Sequence, residues 1–157
     1  MAGGWDGLGL AANAASPMLL EGCVVSADMR LTEEGGGFPA LLNVVLPLFN
    51  LGQAAVSLGL CRAATAATIA HLKSAKFEHL GSLSLGEALP KLRAQLATMQ
   101  IETDGLHARI DDTVGHLEHP GELTKLRVLE VKAAAGETAI AVPALAIRAC
   151  GGGARAR

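Results

Sequence analysis

Tyrosine is absent from this chain of 157 residues, tryptophan occurs once and phenylalanine three times. A surface that stacks bases needs aromatic rings. A net charge of −2 gives no electrostatic hold on a phosphate backbone, so no nucleic-acid partner is expected. Cysteine is also scarce. Cys23, Cys61 and Cys150 are odd in number and far apart, with neither a disulfide framework nor a metal-ligand spacing, and they fit the role of small buried hydrophobes. The start of the chain has no Lys/Arg-rich segment ahead of a compact apolar core, so no secretory signal is read and a reduced, cytoplasmic setting is expected.

Charge is missing where it matters most. From Gly35 to Cys61 the chain runs 27 residues without a formal charge. Length alone suits a bilayer, which about 20 apolar residues can cross. The contents favour a buried helix. Pro39, Asn43, Pro47, Asn50, Gln53 and Ser57 interrupt the run, and no Trp/Tyr belt or basic cluster flanks it. No membrane span is expected. Half of the residues are hydrophobic, mainly Ala, Leu and Val, and mean hydropathy is +0.37. That excess points to surface covered by other subunits or missing domains.

The periodicity predicts a mainly α protein: an incomplete up-down bundle of three long helices, preceded by a short β remnant. Glycine punctuates residues 1–36, and Met18–Ser26 reads as one strand after Pro17. A strand cannot bury itself alone, so 1–36 reads as the end of a β-domain and 37–157 as a helical domain. The first helix is expected over Phe38–Ala75, with a kink at Pro47. The second covers Leu85–Leu117. Either Ser84 and Glu87 start it with a capping box, or it begins at Leu89 with Pro90 in its first turn. Leu92, Leu96, Met99, Leu106, Ile110, Val114 and Leu117 form its apolar stripe, opposite Lys91, Gln95, Glu102, His107 and Asp111. The third runs over Glu122–Ala149, bent at Pro143, and stops at Gly151, Gly152 and Gly153.

Catalytic groups are hard to find. The five histidines are scattered; His116 and His119 have only Glu118 and Glu122 near them, short of the three or four convergent donors a metal needs, so no metal is expected. Asp111 and Asp112 are adjacent and point to different sides of a helix. Two glycine turns remain. One is Lys76-Phe77-Glu78-His79-Leu80-Gly81 after the first helix; the other is Ala149-Cys150-Gly151-Gly152-Gly153 after the third. Each reads either as a simple glycine C-cap or as a place where backbone N–H groups meet a phosphate-bearing ligand.

In this order the segments resemble the acyl-CoA dehydrogenases, a flavoenzyme superfamily. The resemblance begins at Trp5-Asp6-Gly7-Leu8-Gly9-Leu10 and passes through Ser16-Pro17-Met18 and Glu33-Glu34-Gly35-Gly36-Gly37-Phe38. It continues with the long-helix stretch Ala54-Ala55-Val56-Ser57-Leu58-Gly59 and ends in the two glycine turns. It implies FAD as cofactor, contacted by Lys76, Phe77, Gly81, Gly151 and Gly152. It also implies a homotetrameric assembly and an acyl thioester substrate undergoing α,β-desaturation. The helical part would then be a C-terminal piece of such an enzyme, joined to the end of its middle β-domain.

The departures are specific. Where members carry an Asp and an Arg near the CoA moiety, this chain has Pro47 and Asn50. The basic residue of the flavin turn is Lys76, which lacks the planar two-donor geometry of arginine. The family's Tyr-Glu-Gly-Thr-like box with its catalytic Glu does not occur here, and the long helix carries no carboxylate. No catalytic residue is therefore named, and the piece is expected to be inactive alone. Two alternatives follow: a flavin-dependent monooxygenase relative with altered substrate, or a non-catalytic helical assembly module.

Overall fold

The computed structural model describes residues 18–151. By contact the chain divides into two units, Met1–Gly37 and Phe38–Arg157. The described part of the first, residues 18–36, forms no strand. It is extended or bent chain with a single 3-10 turn at Ala27–Met29. Ser26 Oγ donates to the Asp28 carboxylate there, and this bond holds the Asp28 pKa below its usual value. The expected strand Met18–Ser26 fails for a physical reason. A strand exists through ladder hydrogen bonds to a neighbour, and among the described residues no neighbour pairs with it.

The second unit is the expected bundle. Helix α1 spans Gly37–Ser74, α2 is a single turn at Leu85–Ala88, α3 spans Pro90–Glu118 and α4 spans Thr124–Cys150. The long helices run up, down and up. Each packs on the other two, most extensively α1 on α4, which the connectivity makes parallel.

Pro47 does not break α1. The chain absorbs it as a π-type stretch over Leu41–Val45, after which the helix resumes at Leu46, whose N–H bonds the Leu41 carbonyl five residues back. A proline cannot donate to the carbonyl four residues earlier and its ring crowds that carbonyl. A one-residue widening of the preceding turn relieves both problems.

The readings of the second helix turn out to be complementary. Ser84 N–H donates to Glu87 Oε2 at 2.8 Å and Glu87 N–H to Ser84 Oγ at 3.4 Å, a complete capping box. It starts only α2. The residue before a proline is driven out of the helical region, and Leu89 is extended at φ −118° and ψ 94°. Helix α3 then starts afresh with Pro90 in its first turn.

Burial follows a narrow seam. Ala54, Leu58, Cys61, Thr65, Thr68 and Leu72 are buried on α1, Met99, Thr103, Leu106, Ile110 and Thr113 on α3, and Val128, Val131, Ala135, Thr138 and Val142 on α4. Steps of three and four alternate on all three, the spacing of coiled-coil seams. Two clusters result. Ala54, Leu58, Leu106, Ile110, Val131 and Ala135 form one, and Cys61, Met99 and Val142 the other. Gln95, expected on the polar face of α3, is half-buried instead.

The seam uses little of the apolar surface available. Leu41, Leu42, Val44, Val45, Leu48, Phe49, Val56 and Leu60 are exposed on α1, and Leu126, Leu129, Ile140 and Ile147 on α4. By length and composition α1 and α4 are both apolar enough to cross a membrane, with peak mean hydropathies of 1.7 and 1.3 and 22% of each such window buried.

Candidate functional site

Helix α1 ends at Ala75, whose N–H closes on the His71 carbonyl at 2.8 Å while its own backbone turns extended. The next ten residues fold back on themselves. Lys76 bridges to Ser84 in antiparallel fashion, and Leu85 N–H donates to the Ala75 carbonyl at 2.9 Å. The reversal occurs at Gly81, with φ 67° and ψ −134°, a region closed to residues with a Cβ. Helix α4 ends in the same way at Gly151, with φ 55° and ψ −142°.

The ends of α1 and α4 and the start of α2 border one cavity of about 400 Å³ at this end of the bundle. Its floor is apolar: Leu85, Leu89 and Leu92, with Ala75 and Ala149. Phe77 enters from the loop, Gly151 from the end of α4, and His71, Arg148 and Cys150 supply the polar groups. The cavity is half open, with apolar walls and few polar groups. Phe77 is half exposed and stacks on His79, ring centroids 5.5 Å apart and planes 14° from parallel.

Electrostatics at this end come from helix termini. The carbonyl ends of α1 and α4 both lie here and carry partial negative charge. Lys73 in the last turn of α1 and Arg148 in the last turn of α4 are cations that answer it. The corner N–H groups are already used: Gly151 N–H bonds the Ile147 carbonyl and Gly81 N–H the Glu78 carbonyl. Both turns are thus glycine C-caps in their hydrogen bonding, and any charge recognition in the cavity falls to side chains.

Of the residues named from the sequence, Phe77 and Gly151 come together in this cavity. Lys76 is exposed and does not line it; its charge acts on Glu87. Gly81 shapes the loop from its exposed corner and does not line it either. Gly152 lies outside the described residues. His71, Arg148 and Cys150 were missed, although basic residues in the last turn of two helices ending near glycine were a usable signal. At the positions compared with CoA-contacting residues, Asn50 is buried in the seam and Pro47 sits at the π-to-α junction. Among the described residues no group of three His, Cys, Asp or Glu is placed to hold a metal ion.

A second polar cluster ties α3 to α4. Arg127 bonds Glu130 at 2.8 Å and pairs with Asp112 at 3.5 Å, and these partners hold its pKa above the ordinary value. The cavity beside it is about 20 Å³, room for one water, so this is a brace and not a site.

Comparison of the chain with protein-family models, with curated proteins and with solved structures returns no match.

Proposed function

We propose that the chain is part of an acyl-CoA dehydrogenase-like flavoprotein, in which its bundle forms one wall of an FAD site and the scaffold for neighbouring subunits or domains. The observation that carries the reading is convergence. Two turns far apart in sequence, each resembling a flavin-contacting turn, send Phe77 and Gly151 into one cavity. The donor set suits one part of an extended, partly aromatic dinucleotide. Phe77 offers a ring face, Gly151 a wall without Cβ, Leu85, Leu89 and Leu92 an apolar floor, and Arg148 a positive charge for a phosphate. The cleft is a wall and not an enclosure, which agrees with a cofactor shared with another chain or domain.

FAD, when bound, supplies the hydride acceptor for desaturation of an acyl thioester. This chain's residues bind and orient it. They include no carboxylate on α1 to take the α-proton, since that helix has no Asp or Glu, so the chain alone is expected to give no desaturation. The exposed apolar faces of α1 and α4 are read as packing surfaces for other subunits, not lipid. Partition of the protein into the soluble fraction tests that part.

Titration with FAD, followed by flavin fluorescence, tests the cofactor. Saturable quenching is expected, weakened about tenfold in Phe77→Ala, since one stacked ring contributes roughly 1–3 kcal/mol. An assembled, folded protein with no saturable flavin binding overturns the reading. The exposed faces also favour the non-catalytic assembly module, for which the same titration is blank while light scattering reports a discrete oligomer. The monooxygenase alternative differs in products formed with reduced flavin and oxygen.

A further inference from the structure

Arg62 of α1 and His107 of α3 meet across the seam between their helices, guanidinium Nη2 to imidazole Nδ1, at 3.1 Å. A guanidinium offers donors only. Nδ1 must therefore accept, and the neutral ring keeps its proton on Nε2. Nε2 lies 3.7 Å from Asp111 Oδ2, one turn further along α3. We infer that His107 is a proton-dependent clasp between α1 and α3. In its neutral Nε2–H form it accepts from Arg62. A second proton, on Nδ1, removes the lone pair that Arg62 uses and sets two cations against each other. The imidazolium is then drawn to Asp111, along its own helix instead of across the seam.

Asp104 and Asp111, three residues before and four after His107, are carboxylates on its own face of α3. Asp104, one turn earlier on α3, is engaged by Gln100 Nε2 at 2.9 Å. On α1 the other ionisable groups are Cys61, buried in the seam with its thiol on the Thr138 carbonyl, and His71 and Lys73, more than two turns away at the helix end. No hydrogen bond or ion pair joins His107 to α4 among the described residues, and among them Arg62–His107 is the one hydrogen bond between side chains of α1 and α3. Both groups are exposed, so the clasp is a graded one, with the strength of a surface pair. It stands independently of the flavin reading.

Nitrogen NMR of the imidazole ring tests it. Where the spectra report a neutral ring, the Nε2–H tautomer is expected, reverting to a mixture in Arg62→Met. A double-mutant cycle of Arg62→Met and His107→Phe, read in urea unfolding, should show coupling of about 1.5- to 5-fold in the unfolding equilibrium there. On the acid side, where the same spectra report the ring protonated, this stabilising coupling should vanish or reverse in sign. An Nδ1–H tautomer in the parent protein, or a stabilising coupling that survives protonation, overturns the inference.

Discussion

At the scale of single residues, four threonines and a cysteine of the seam are tolerated because each has a partner close by, whereas Gln95 Oε1 on α3 is buried without one. Thr65, Thr68, Thr103 and Thr113 return their hydroxyls to the carbonyl four residues back in their own helices, at 2.7–2.9 Å. The Cys61 thiol reaches across to the Thr138 carbonyl at 3.6 Å, and burial raises its pKa. A hydroxyl or thiol so bonded avoids the penalty of an orphan buried group. Ser84 matters differently, because it starts α2 and closes the loop under the cavity. Ser84→Ala should cost about 1 kcal/mol in urea unfolding at pH 7. Hydrogen bonds from the Ser84 backbone and side chain hold the Glu87 pKa below its ordinary value. A depressed folded pKa contributes stability that is present above the unfolded value and lost as pH falls through the folded one. The stability gap between the parent and Glu87→Gln should therefore narrow as pH drops below about 4; a gap that widens in acid contradicts the capping box. Both partners were legible in the sequence as a Ser-x-x-Glu pattern, because a capping box spans only four residues. That Lys76 stays out of the cavity was not legible, since its direction depends on the bridge to Ser84.

At the scale of elements, the three long helices could be read from periodicity to within about two residues at most ends, as helix boundaries allow. The narrowness of their buried stripes could not. An apolar residue at helical spacing is a candidate for the core, but only the 3–4 seam finds a partner helix. Leu92, Leu96, Val114 and Leu117 stop at half burial, while Met99, Leu106 and Ile110 go fully inside. The difference is measurable. Met99→Ala should cost about 2–5 kcal/mol, because Met99 fills the space between Cys61 and Val142. Ile101→Ala, two residues on and 69% exposed, should cost less than about 0.5 kcal/mol. Equal losses in denaturant unfolding would mean that the seam is wrongly placed. The expected strand at Met18–Ser26 shows the opposite limit. Its apolar residues Leu19, Leu20, Cys23, Val24 and Val25 suit a strand, but strand formation requires a partner that local sequence cannot supply.

At the scale of the molecule, the bundle leaves a continuous neutral surface on α1 uncovered. Contiguous exposed apolar surface of this kind marks a contact with something else. Replacing Leu60, 49% exposed on α1, with Glu should leave helicity unchanged. It should also shift the protein toward smaller species in light scattering, because a charge buried in an apolar contact is costly. A size distribution unaffected by Leu60→Glu counts against α1 as a packing face. The sequence by itself determined the helical class, the three spans, the capping box and the two glycine corners. Helical period, capping and left-handed backbone are decided by residues within one or two turns of each other. Only the tertiary structure decided that Phe77 and Gly151 share a cavity with Arg148 while Lys76 and Gly81 stay outside it, and that Asn50 turns inward. These outcomes depend on how α1 and α4 pack in parallel so that their C-terminal ends come level. That packing is set by side chains tens of residues apart, filling one another's spaces in the seam.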